Sequence, residues 1–124
     1  MLPGIKQFDL SGKVAVITGG SKGLGEAMAA GLASAGADLM LVSRNDAEAK
    51  AKAAKLAKEY DCKAIGFAAD VSRQADTEAM ATEAIDALGR VDILINSAGI
   101  NTRGPIDELT YEQFSEVQRI NVDG

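Results

Sequence analysis

Short, wholly apolar runs alternate along the chain with longer stretches in which apolar residues return at helical spacing. Val14-Ala15-Val16-Ile17 is the first such run, and it stops at Thr18-Gly19-Gly20, the pattern of a buried strand ending in a glycine turn. Small apolar residues then recur from Gly23 to about Ala35, and Gly36 closes the stretch as a helix C-terminal glycine does. Leu39-Met40-Leu41-Val42 predicts a second buried strand. Asn45-Asp46 supplies the N-cap of a second helix, with Ala47, Ala51, Ala54 and Ala57 along one face and Glu48, Lys50, Lys52, Lys55 and Lys58 turned to water. A third strand is predicted from about Lys63 to Ala68. A helix beginning at Ser72 follows, with Ala75, Ala79, Ile85 and Leu88 among its apolar positions and Gly89 at its end. Val91-Asp92-Ile93-Leu94-Ile95 reads as the fourth strand. Asn96 to Leu109 is a loop holding Gly99, Gly104 and Pro105, and Thr110 caps a last helix that is still running near Asn121. Strands alternating with helices predict right-handed βαβ units, and so an α/β domain over residues 1–124 whose parallel sheet is covered on both faces.

Composition narrows what such a domain can do. With 124 residues, 47% apolar and 25% charged, the chain suits one folded unit with a core to bury. A net charge of −5, with Lys and Arg scattered, argues against nucleic acid or an anionic membrane as a partner held by charge. The one cysteine, Cys62, has no intramolecular disulfide partner, and the opening Met1 to Leu10 lacks the apolar run of a signal peptide. The expected compartment is therefore the reducing cytoplasm. No apolar stretch approaches the roughly 18 residues of a membrane span. Histidine is absent, which removes the commonest metal ligand and general base, and no metal is expected.

The segment between the first strand and first helix, Thr18 to Gly25, carries the strongest chemical signal. A dinucleotide site needs glycines there for a tight turn, for close backbone approach to the pyrophosphate, and for close helix-to-strand packing. Gly19, Gly23 and Gly25 suit these roles in that order, with Ser21, Lys22 and Leu24 between them. The helix N-terminus would turn free N–H groups and partial positive charge toward the phosphates. At the end of the second strand an acidic residue would read the ribose hydroxyl of NAD, whereas Ser43-Arg44 stands there instead. With no carboxylate to repel a phosphate, and with Arg44 and Lys22 available to pair with one, NADP is expected over NAD. The bland alternative is that both are ordinary solvated loop cations. Asp70-Val71 ends the third strand and suits an adenine, by accepting from its amino group and packing on its ring, although Asp70 could simply cap a helix. Asn96-Ser97-Ala98-Gly99 ends the fourth, where Ala98 and Gly99 leave room for a cofactor against the backbone and Asn96 can bond the ribose or tie strand ends together.

Taken in order, Thr18 to Gly25, Ser43-Arg44, Asp70-Val71, Asn96 to Gly99 and Asn121-Val122-Asp123-Gly124 resemble the short-chain dehydrogenase/reductase family over nearly the whole chain. The loop Ala98 to Pro105 is similar to that of members acting on sugar acids, such as gluconate 5-dehydrogenase. The resemblance implies a Rossmann-type doubly wound sheet of strand order 3-2-1-4. It also implies hydride exchange between a nicotinamide and a carbonyl or secondary alcohol, in a full-length homodimer or homotetramer.

Family members use an Asn, Ser, Tyr, Lys set, of which Asn121 matches the first. Ser97 stands where a second asparagine is usual. No Tyr-x-x-x-Lys occurs, since Tyr60 is followed four residues later by Ala64 and Tyr111 by Ser115. The resemblance thus implies the N-terminal, cofactor-binding half of an oxidoreductase. The alternative is a non-catalytic NADP-binding module. A methyltransferase-like domain is disfavoured by Thr18, where a carboxylate is usual.

Overall fold

The computed structural model describes residues 4–124; Met1 to Pro3, part of the opening segment read above, lie outside them. After a 3₁₀ turn over Ile5–Phe8, the chain runs β1 (Val14–Thr18), α1 (Gly23–Ser34), β2 (Asp38–Ser43), α2 (Asp46–Tyr60), β3 (Ala64–Ala68), α3 (Gln74–Leu88), β4 (Ile93–Asn96) and α4 (Tyr111–Gln118). A π-helical turn, Arg119–Asp123, continues α4. The strands form one parallel sheet in the order β3-β2-β1-β4, a doubly wound α/β arrangement. β1 and β2 lie at its centre, and their continuous apolar sequence follows from burial on both faces.

Alternation along these strands divides the core in two. Ala15, Ile17, Leu39 and Leu41 face one side, where Ala29 and Ala33 of α1 and Ala53 and Leu56 of α2 close over them. Val16, Met40 and Val42 face the other, against Ala84 of α3 with Met80 and Leu88 beside it. The small residues of α1 let its backbone approach the sheet. The same need explains Gly66 on β3, where a Cβ would run into the backbone of α2 at Ala49.

Several sequence expectations are corrected here. The buried stripe of α2 is Ala49, Ala53 and Leu56, whereas Ala47, Ala51 and Ala54 are exposed and Ala57 only partly covered. Alanines on every side left the helix without a phase, and Leu56 supplies it by entering the core. Glu48 and Lys52, expected in water, are half-buried, Lys52 pairing with Glu26 of α1 at 2.9 Å. α3 starts at Gln74 because Asp70 and Ser72 form a turn of their own before it. Of its expected apolar positions Ala75, Ala79 and Ile85 are exposed and Leu88 is partly covered, while the buried residue is Ala84, which the sequence pattern did not single out. β4 starts at Ile93, since Asp92 is engaged with Arg90 and with the N–H of Val14. The Thr110 cap is present as a full capping box with Gln113.

Candidate functional site

The carboxyl ends of all four strands open onto one cleft of ≈ 360 Å³. Its walls include Gly19, Ser21 and Lys22 after β1, Ser43 at the end of β2 with Arg44 and Asn45 after it, Asp70 and Val71 after β3, and Ser97, Ala98 and Gly99 after β4. Segments far apart in sequence meet there because parallel strands all end on the same side of the sheet.

Gly19 has φ +66°, and a Cβ on it would stand 2.6 Å from the Ser97 carbonyl oxygen. Only glycine lets the turn after β1 lie so close to the chain after β4. Gly25 is buried in the first turn of α1, where a Cβ would strike the Gly19 carbonyl. Gly23 and Leu24 do not line the cleft; Leu24 is 79% exposed, and the space where a Gly23 side chain would stand is open. α1 starts beside the cleft without a side-chain cap, which leaves first-turn N–H groups for a ligand.

Two residues to which the sequence assigned no part in the site organise this region. The buried Thr18 hydroxyl accepts from the N–H of Ser97 (3.2 Å) and of Ala98 (3.3 Å), so it pins the end of β4 to the end of β1. A hydroxyl residue closing a buried apolar run was the only sequence signal for it. Glu48 is the second: no carboxylate stands at the end of β2 itself, but this one, from the first turn of α2, lines the same cleft. Asn45 caps α2 by accepting from the Glu48 N–H at 3.0 Å, which leaves the Glu48 carboxylate on the cleft wall. There Ser21 Oγ donates to Oε1 at 3.1 Å, and Lys22 Nζ lies 3.5 Å from Oε2.

Across the cleft, Asp70 Oδ1 accepts from both the N–H (2.9 Å) and the hydroxyl (2.6 Å) of Ser72, and Arg119 donates to that same hydroxyl. The Ser72 hydrogen bonds hold the Asp70 carboxyl below its ordinary range, aided by the charges of Arg119 and Arg44 and opposed by slight burial. Asp70 therefore closes a turn and lines the cleft at once.

Asn96, opposite Thr18 at the end of β4, is exposed and outside the cleft lining. Asn121 does not line it either. Its Oδ1 accepts from Ile100 N–H at 2.8 Å and its Nδ2 donates to Ile100 O at 2.9 Å, a two-bond clamp across 21 residues. Ile100 and Ile120 do line the cleft, so the clamp sets one wall. Among the described residues, no cluster of three His, Cys, Asp or Glu side chains is placed to hold a metal, and no helix is long and apolar enough to cross a membrane.

Residues 13–124 match the family model for short chain dehydrogenase. The chain belongs to the short-chain dehydrogenase family. It is 38% identical over 117 residues to D-threitol dehydrogenase of Mycolicibacterium smegmatis, covering 94% of this chain and 45% of that protein. It is also 38% identical over 116 residues to 2-dehydro-3-deoxy-D-gluconate 5-dehydrogenase of Formosa agariphila, covering 93% and 44%. The crystal structure of a short-chain type dehydrogenase/reductase from Mycobacterium marinum superposes with a TM-score of 0.89 at 32% identity, over 96% of this chain and 48% of that one. The chain thus spans just under half the length of these short-chain dehydrogenase relatives, and its order β3-β2-β1-β4 agrees with the family's fold.

Proposed function

We propose that the cleft binds NADP and that these residues are the cofactor-binding half of an oxidoreductase interconverting a secondary alcohol and a carbonyl. The observation that carries the reading is that Lys22 and Arg44 line the same cleft as the Gly19 turn, beside the uncapped start of α1. The space kept free of a Cβ at Gly19 suits the close passage of a pyrophosphate, so the residues present fit the cofactor. The N-terminus of α1, with Ser21, Gly23, Leu24 and Gly25 shaping the turn, would face the phosphates. Arg44 and Lys22 would pair with the ribose 2′-phosphate beside Ser43. Asp70 and Val71 would take the adenine, and Ala98 and Gly99 the remaining ribose and ring. The bound nucleotide supplies the hydride chemistry.

Asn121 is assigned to the catalytic set, with its clamp on Ile100 as its structural part. No Tyr-x-x-x-Lys occurs in these 124 residues, so the chain by itself is proposed to bind nucleotide without turnover. Two relatives named for a tetritol and a keto-deoxy sugar acid support a polyhydroxy substrate, with a sugar acid within that class. A cytoplasmic homodimer or homotetramer completes the reading. An in-frame Ser and Tyr-x-x-x-Lys encoded after Gly124 supports the enzyme; a stop codon there leaves a nucleotide-binding module.

Calorimetry tests the cofactor assignment. NADPH is expected to bind more tightly than NADH, and Arg44→Ala to shrink the difference by about tenfold or more, the loss of one charge-assisted contact. Equal affinities before and after the substitution overturn it.

A further inference from the structure

We infer that Glu48 sets how strongly this cleft prefers a 2′-phosphorylated nucleotide, its carboxylate competing with the phosphate for Lys22. The inference rests on the NADP reading above and adds to it a residue that opposes the preference.

Glu48 is held in place while Lys22 is not. The Glu48 N–H is capped by Asn45, whose own N–H donates to Ser43 Oγ at 3.1 Å, so the β2–α2 turn and Glu48 form one hydrogen-bonded unit. The Glu48 side chain is only 23% exposed, and each of its oxygens has a partner in the glycine turn, Ser21 Oγ and Lys22 Nζ. The Lys22 side chain is 80% exposed and free to swing. Before any nucleotide arrives, the Lys22 charge is directed at Glu48.

A 2′-phosphate entering between Lys22 and Arg44 must draw Lys22 off that carboxylate and then sit on the same wall as a negative charge. Charges a few ångströms apart at a partly covered site interact several times more strongly than in bulk water. A ribose 2′-hydroxyl carries no charge and meets no such opposition. Lys22, Arg44 and Glu48 together give a moderated preference, in which the unphosphorylated nucleotide stays competitive.

Glu48→Gln removes the charge but keeps the length of the side chain and an oxygen for the Ser21 hydroxyl. The full chain and this variant are titrated calorimetrically with adenosine 2′,5′-bisphosphate and with 5′-AMP, which differ in the 2′-phosphate. The variant is expected to bind the bisphosphate about tenfold more tightly, with 5′-AMP within about twofold. The gain should shrink as salt is raised, since screening weakens an exposed charge pair. Unchanged or weaker bisphosphate binding in the variant, beside a clear preference in the wild type, overturns the inference and leaves the NADP reading standing. Equal shifts for both ligands also overturn it, because they mark a merely structural role. A wild type that does not distinguish the two ligands overturns both readings. Should the glutamine variant fail to fold, Glu48→Asp withdraws the carboxylate by one methylene; a smaller gain in the same direction supports the inference, and no gain overturns it.

Discussion

Gly23 and Gly25 stand two residues apart in one turn, and alanine at each meets a different obstacle. At Gly23 the obstacle is conformational: φ is +54°, a region that costs an L-residue about 1–2 kcal/mol, and the space around it is open. At Gly25 the obstacle is backbone, because the added methyl group strikes the Gly19 carbonyl and cannot be relieved by rotating a side chain. Gly25→Ala is therefore expected at the upper end of the overpacking range of about 1–3 kcal/mol. It should also weaken nucleotide binding more than Gly23→Ala does, since Gly19 would be pushed against Ser97 whereas the space around Gly23 is open. Urea midpoints and nucleotide titration on both variants check this; equal loss of binding would contradict it. Gly19, Arg44, Asp70 and Gly99 were legible in the sequence because strand ends in a parallel sheet are positions that topology brings together. Glu48 and Thr18 were not, because their roles depend on where a side chain points after α2 is capped and β4 is docked.

Strands were easier to read than helix faces. The apolar runs at Val14 and Leu39 admit one reading each, a strand buried on both sides, and both strands contain the runs that predicted them. α2 is rich in alanine around its whole circumference, so sequence offered two faces of nearly equal apolarity. Packing chose the one that carries Leu56 and lets the helix backbone rest on Gly66. Leu56→Ala is thus expected to cost about 2–5 kcal/mol as a core truncation. Ala54→Lys, on the face sequence had assigned to the core, should change stability by no more than about 0.5 kcal/mol. Thermal or chemical denaturation of the pair decides the phase, and a large loss from Ala54→Lys would reverse it.

At the scale of the whole molecule, β4 pairs only with β1 among the described residues, which leave its other edge open. Leu94, in the middle of that strand, is 56% exposed, and Ile85 of α3 is 51% exposed. An apolar edge strand with unpaired backbone groups recruits another chain, so the 124-residue polypeptide is expected to self-associate. Leu94→Lys should reduce that association, and light scattering that finds a monodisperse monomer in the unaltered chain would count against it. The sequence alone determined the βαβ alternation, the parallel sheet and which segments end at the cleft, because hydrophobic period and glycine placement are local properties of the chain. Only the tertiary structure decided the buried face of α2, the carboxylate facing Lys22 and the grip of Asn121 on Ile100. Each of these is a contact between residues distant in sequence, whose partner and direction exist only once the helices have docked on the sheet.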